Sequence, residues 1–170
     1  SNNYLDISEA AVANPPEEGS LSLQAQSFDL ADVGYEDAEY FISGTASSFT
    51  NINELAVEGE WVAELADQAQ YNTRIVVHRP RDSADFSGTV MVEWLNVTAG
   101  FDAPFSWTAG HAEMYRSGHI WIGVSAQVVG IEGSAFGLAP LYLKAANPAR
   151  YTDLNHPGDS FSYDIFTQVA

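Results

Sequence analysis

Thr89-Val90-Met91-Val92-Glu93-Trp94-Leu95-Asn96 opens the stretch that decides the fold, and Ile120-Trp121-Ile122-Gly123-Val124-Ser125-Ala126 closes it. Both are nearly unbroken apolar runs rich in β-branched residues. Such runs predict strands buried on both faces, the habit of a parallel sheet. Between them, Thr98 to Pro104 reads as a turn region and the residues up to Gly118 as a helix. Asp102 is placed to cap that helix, and Pro104 falls in the first turn, where its missing N–H costs nothing. Trp107, His111, Met114 and Tyr115 recur at i, i+4, i+7 and i+8 and share one face. Arg116 lies in the last turn and Gly118 follows as the C-cap. Strand, crossover helix and strand make a βαβ unit. Open α/β sheets bind ligands outside the carboxyl ends of their strands, so the loop leaving Asn96 is the first place to look for function.

Upstream, residues 1–27 are polar and loosely patterned, with a breaker cluster at Asn14-Pro15-Pro16-Glu17-Glu18-Gly19-Ser20. They are expected to lie across the outside of a domain spanning 28–170. Residues 39–49 read as a strand bent or bulged at Gly44. Residues 53–70 suggest a short helix or an irregular insertion. Thr73-Arg74-Ile75-Val76-Val77-His78-Arg79 is a strand stopped by Pro80. Downstream, residues 138–146 suggest a short helix ended near Asn147-Pro148. Asp159 is the expected cap of a final helix on which Phe161, Ile165 and Val169 share a face. That helix meets Ala170 with no Gly, Asn or basic residue to stop it. The strands are also too few to bury one another. The expected architecture is therefore the N-terminal part of a mostly parallel α/β sheet with flanking helices, completed by residues outside this chain.

Composition excludes several functions. The 170 residues are 46% apolar, with 23 acids, 6 bases and a formal charge of −17. That balance opposes nucleic acid and anionic membranes, which need basic surfaces. Without cysteine there are no disulfides, thiol nucleophiles or Cys-type zinc sites. No apolar run approaches the roughly 18 residues that span a bilayer. The glycines between Gly130 and Gly137 lack phosphate-loop spacing and no Lys follows, so no nucleotide cofactor is expected. His78, His111, His119 and His156 form no metal-ligand pair, so no metal is expected either.

The chemistry-bearing candidates are few. Gly123-Val124-Ser125-Ala126-Gln127 starts like a nucleophile elbow but lacks its final Gly, so Ser125 reads as an ordinary strand serine. His78 and His119 stand at strand ends and His111 on an apolar helix face, all structural positions. His156 precedes a Pro-Gly turn on the ligand-facing side, where loops carry function. Asn96-Val97-Thr98 matches a glycosylation acceptor, a pattern common by chance and set here at a strand end. Its backbone N–H groups and the Asn amide could equally hold a developing oxyanion or simply turn the chain.

Several stretches together resemble a bacterial α/β-hydrolase-domain family whose members are esterase-like and often exported. They are Glu39-Tyr40-Phe41-Ile42-Ser43-Gly44-Thr45-Ala46, Thr73 to Pro80, Gly88 to Val97, Trp121 to Gln127, and His156-Pro157-Gly158-Asp159-Ser160-Phe161-Ser162-Tyr163-Asp164-Ile165-Phe166. The resemblance implies that the run at Thr89 is the third strand of the sheet and the run at Ile120 the fourth. It implies a serine-type hydrolase of small carboxylic esters whose catalytic residues all lie outside this chain. The chain itself would supply oxyanion-hole candidates Asn96, Val97 and Thr98 and substrate-binding candidates Gln127, His156 and Asp159. The partner would be the C-terminal half of the fold, on a second chain or a further segment, in an exported protein. A non-catalytic binding or assembly subunit with the same sheet is the competing expectation.

Overall fold

A computed structural model describes residues 9–23, 28–135 and 140–170. Among the described residues, five strands form one sheet in the order β1-β2-β3-β5-β4. They are β1 (Ala11–Ala13), β2 (Tyr35–Asn51), β3 (Ala63–Pro80), β4 (Val90–Trp94) and β5 (Ile120–Val124). Only β4 and β5 run parallel; the other three pairings are antiparallel. The expectation of a mostly parallel sheet is thus corrected. An apolar run reports burial of both faces, and says nothing about the direction of the neighbouring strand. The βαβ unit is present, with α1 (Phe105–Arg116) joining β4 to β5.

β2 and β3 make an antiparallel ribbon far longer than the patterned segments suggested. Tyr35 pairs with Pro80 at one end and Asn51 with Ala63 at the other. Residues 63–70, expected as helix or insertion, are strand because β2 offers a continuous ladder for them. The irregularity falls between Ser48 and Phe49 and not at Gly44. Gly44 is instead a close-approach position, where a Cβ would lie 3.1 Å from Gln168 Oε1 and 3.3 Å from the Tyr71 ring.

Period-2 alternation along β3 divides the core. Ile75 and Val77 face one side, with Ile42, Val124, Phe161 and Ile165, under α5 (Ser162–Val169). Val76 faces the other, with Leu95, Trp107, Met114 and Trp121, under α1. Phe41 shares that second side with Ile131, Leu143, Tyr151 and Leu154. Those residues come from α2 (Val128–Glu132), α3 (Leu143–Ala146), α4 (Pro148–Tyr151) and the loop that follows. The short helix expected over 138–146 is α3, ended at Asn147 as expected, and Pro148 starts the separate turn of α4; residues 136–139 lie outside the described residues. No helix among the described residues is long and apolar enough to cross a membrane.

Two expected caps are corrected. The α1 N-cap is Pro104, with no side-chain cap bond of its own. The first-turn N–H groups of Ser106 and Trp107 donate to Glu93 on β4, at 2.7 and 3.1 Å. Asp159 does not cap α5. It lies in a 3-10 turn (Asp159–Phe161), and its carboxylate accepts the Val128 N–H at 2.8 Å, at the start of α2.

Candidate functional site

The parallel pair aims two loops at one end of the sheet. Leu95 N–H donates to Val124 O at 3.1 Å, so the chain leaves β4 and β5 side by side. After β4, Asn96 and Ala103 exchange two backbone hydrogen bonds, at 3.1 and 2.8 Å, and close the intervening loop. Inside it the Asn96 side-chain oxygen accepts the Thr98 N–H at 2.9 Å, an Asx turn. Gly100 N–H donates to Val97 O at 2.9 Å. Gly100 has φ +89, a left-handed conformation that favours glycine. Of the three oxyanion candidates, the backbone N–H groups of Asn96 and Thr98 are used within the loop. Among the described residues, Val97 N–H and the Asn96 side-chain NH₂ donate to no acceptor. The donors still available are therefore one backbone amide and one side-chain amide.

The three substrate-binding candidates meet at the carboxyl end of β5. Gln127 accepts the Trp94 indole N–H at 3.0 Å and donates to Asp159 at 3.4 Å. His156 is buried; its Nε2–H donates to Ala126 O at 2.8 Å and its Nδ1 accepts the Gly158 N–H at 3.1 Å. This arrangement fixes one neutral tautomer. Burial pushes its pKa down, against the opposing pull of the Ala126 carbonyl and Asp159. His156 thus shapes the turn that presents Asp159 and has no free nitrogen for a proton transfer. Trp94 stacks near Tyr163 and Phe166, with centroids at 5.3 and 5.4 Å, and forms an aromatic shelf beside Gln127.

Behind these loops lies a buried charge network. Arg74, fully buried on β3, pairs with Glu39 at 3.0 Å and with Asp102 at 3.1 Å. Glu39 also pairs with Arg150 at 2.6 Å and accepts the Tyr151 hydroxyl at 2.8 Å. Burial alone would pull the Arg74 pKa down, but Asp102, Tyr151 and Glu39 hold it above its ordinary value. Ser125 Oγ donates to Asp102 and accepts Arg74 Nε–H at 3.0 Å. Ser125 is therefore a closed-off member of the network; it stands one residue past the end of β5 and not in the strand where it was expected. Asp102 Oδ1 is buried without a hydrogen-bond partner among the described residues. It lies against Gly130, where a Cβ would come within 2.1 Å of it. A cavity of about 220 Å³, walled by Leu23, Phe101, Leu141 and Leu143, borders the Arg74–Asp102 pair.

Sequence reasoning missed Arg74, Glu39, Asp102 and Tyr151 as a unit. One signal was available: an arginine inside an apolar, doubly buried strand must find acidic partners. Which acids answer it depends on two other parts of the chain, β2 and the loop after β4. Ser87 Oγ and His119 Nδ1, 2.7 Å apart, lie at the opposite, amino end of β4 and β5. His111 Nδ1 meets the carbonyls of Trp107 and Thr108, both at 3.1 Å, within its own helix. No group of three or more His, Asp or Glu among the described residues is placed to hold a metal ion.

A protein-family model described as an alpha/beta hydrolase domain matches residues 10–170. No curated protein and no solved structure matches the chain.

Proposed function

The chain belongs to this alpha/beta hydrolase domain family, and from that premise we propose that it forms the oxyanion side of a serine hydrolase acting on small carboxylic esters. One observation carries the reading. At the carboxyl end of the parallel pair, among the described residues, Val97 N–H and the Asn96 side-chain amide donate to no acceptor. Donors held by a closed loop and aimed where charge develops stabilise a tetrahedral oxyanion without reorganising during the reaction. Gln127 and Asp159 line the substrate's path, and His156 holds their turn in place. The cavity beside Arg74 and Asp102 takes the apolar part of the ester. The serine, histidine and acid come from polypeptide outside these residues, whether a second chain or a further segment, in an exported protein.

A serine-directed fluorophosphonate probe applied to the native assembly tests this reading. The expected result is labelling of one polypeptide, with rate lost about a hundredfold when Val97→Pro removes the free N–H. Absence of label on every chain present would end the esterase reading. It would favour a binding or assembly subunit that keeps the sheet without the chemistry. The described residues lend that alternative one specific support: the Ser87–His119 pair is at the wrong end of the strands.

A further inference from the structure

The β2–β3 ribbon outruns the body it belongs to. Its last tie to α5 is the Ser47 N–H, donated to Asp164 at 2.6 Å. Between 48 and 67, neither strand contributes a residue to the hydrophobic clusters on the two faces of the sheet. At about 3.3 Å per residue, the paired part alone projects on the order of 15 Å. This stretch nevertheless holds half of the large apolar side chains exposed among the described residues, including Leu55 at 65% and Trp61 at 62%.

The pairing places them on both faces. Phe49 opposes Leu65 and shares their face with Asn51 and Ala63. Ile52 N–H donates to Val62 O at 2.9 Å, one step along, so Ile52 and Val62 point the other way. A ribbon that is apolar on one face rests on a surface; one that is apolar on both needs an occupant around it. The tip is also preformed. Gly59 N–H donates to Ala56 O at 3.2 Å and the Trp61 indole N–H to the same carbonyl at 3.2 Å. Little ordering remains for binding to oppose.

Charge selects the occupant. The stretch carries Glu54, Glu58, Glu60, Glu64 and Asp67 and no Lys or Arg. A second copy has few bases to answer these acids. Of the chain's 6, Arg74 and Arg150 are held by the buried acids, and Arg79 and Lys144 pair with Glu36 and Glu132, which leaves Arg81 and Arg116 against five acids. Nucleic acid and anionic membrane carry the wrong sign. We propose that the ribbon tip is a docking arm for a basic protein, whose apolar groove takes both faces of the ribbon and whose rim supplies Lys and Arg. Acid-to-base steering would then set the rate of encounter, and Trp61, once covered by the partner, the lifetime of the complex.

The test places a photo-crosslinker at the tip, Val57→p-benzoylphenylalanine, in the protein's native cells and identifies the crosslinked peptide by mass spectrometry. The expected adduct is on a different protein, within a peptide carrying Lys or Arg beside apolar residues. That protein, purified, should bind the unmodified chain more weakly as salt is raised. Trp61→Ser should raise its Kd about tenfold or more, with thermal stability unchanged because Trp61 lies outside the core. An adduct only with a second copy, with lipid or with an acidic surface overturns the proposal. So does the absence of an adduct, or a Kd that Trp61→Ser leaves unmoved.

Discussion

His78 sits edge-on to Trp107 and tilted against Trp121, with ring centroids 4.4 and 4.7 Å away, and among the described residues its buried Nδ1 has no hydrogen-bond partner. Burial pushes its pKa down to about 4, against about 6.5 in an unfolded chain. Between those values the unfolded chain binds more protons than the folded one. The stabilisation from a neutral His78 is therefore complete above pH 6.5 and is lost as pH falls toward 4. A gap of this size amounts to about 3 kcal/mol. Urea unfolding at pH 7 and pH 4.5 measures it: His78→Gln should shrink the acid loss of stability by most of that amount. Equal acid sensitivity in the two proteins would show that another group governs it. His156, also lowered by burial, adds a loss of the same sign. Strand-end histidines look alike in a sequence; what sets His78 apart is the pair of indoles that two other elements bring to it.

Helix α1 owes its start to a residue on another element. Glu93 accepts the Ser106 and Trp107 N–H groups and also the Trp121 indole N–H at 2.8 Å, so one carboxylate ties β4, α1 and β5 together. It meets the positive end of the helix where a local cap is missing. Glu93→Gln keeps the shape but turns one acceptor oxygen into a donor. The expected cost is about 1–3 kcal/mol. Hydrogen exchange is the matching local readout: the Ser106 and Trp107 amides should exchange faster while the β3 amides keep their protection. Unchanged exchange at those two positions would remove Glu93 as the cap. Local rules pointed to Asp102, which stands at a capping distance in sequence. The network with Arg74 and Ser125 claims it instead, because a buried guanidinium costs more to leave unpaired than a helix end does.

Across the whole molecule, 23 acids face 6 bases, and four of those bases are already engaged in ion pairs. The uncompensated acids repel one another over the surface, and folding concentrates them. Salt shortens the reach of that repulsion, from a screening length of about 30 Å at 0.01 M to about 3 Å at 1 M. The melting temperature should therefore rise by several degrees as NaCl increases across that range. A flat or falling melting temperature would mean that the internal pairs dominate the electrostatics.

The chain's own pattern determined the βαβ unit, the aromatic face of α1, the α5 face and the carboxyl-end location of the loops at Asn96, Gln127 and His156. Each of these is a periodicity or a turn signal spanning a few residues, and short-range sterics and burial suffice to set it. Only the tertiary structure decided strand direction, the length of the β2–β3 ribbon and the Glu39–Arg74–Asp102–Ser125 network. Pairing direction and ladder length depend on which backbone lies alongside. A buried charge is satisfied by whichever opposite charges the fold carries to it, here to Arg74 on β3 from Glu39 on β2 and Asp102 in the loop after β4, with the Ser125 hydroxyl from the end of β5 completing the network.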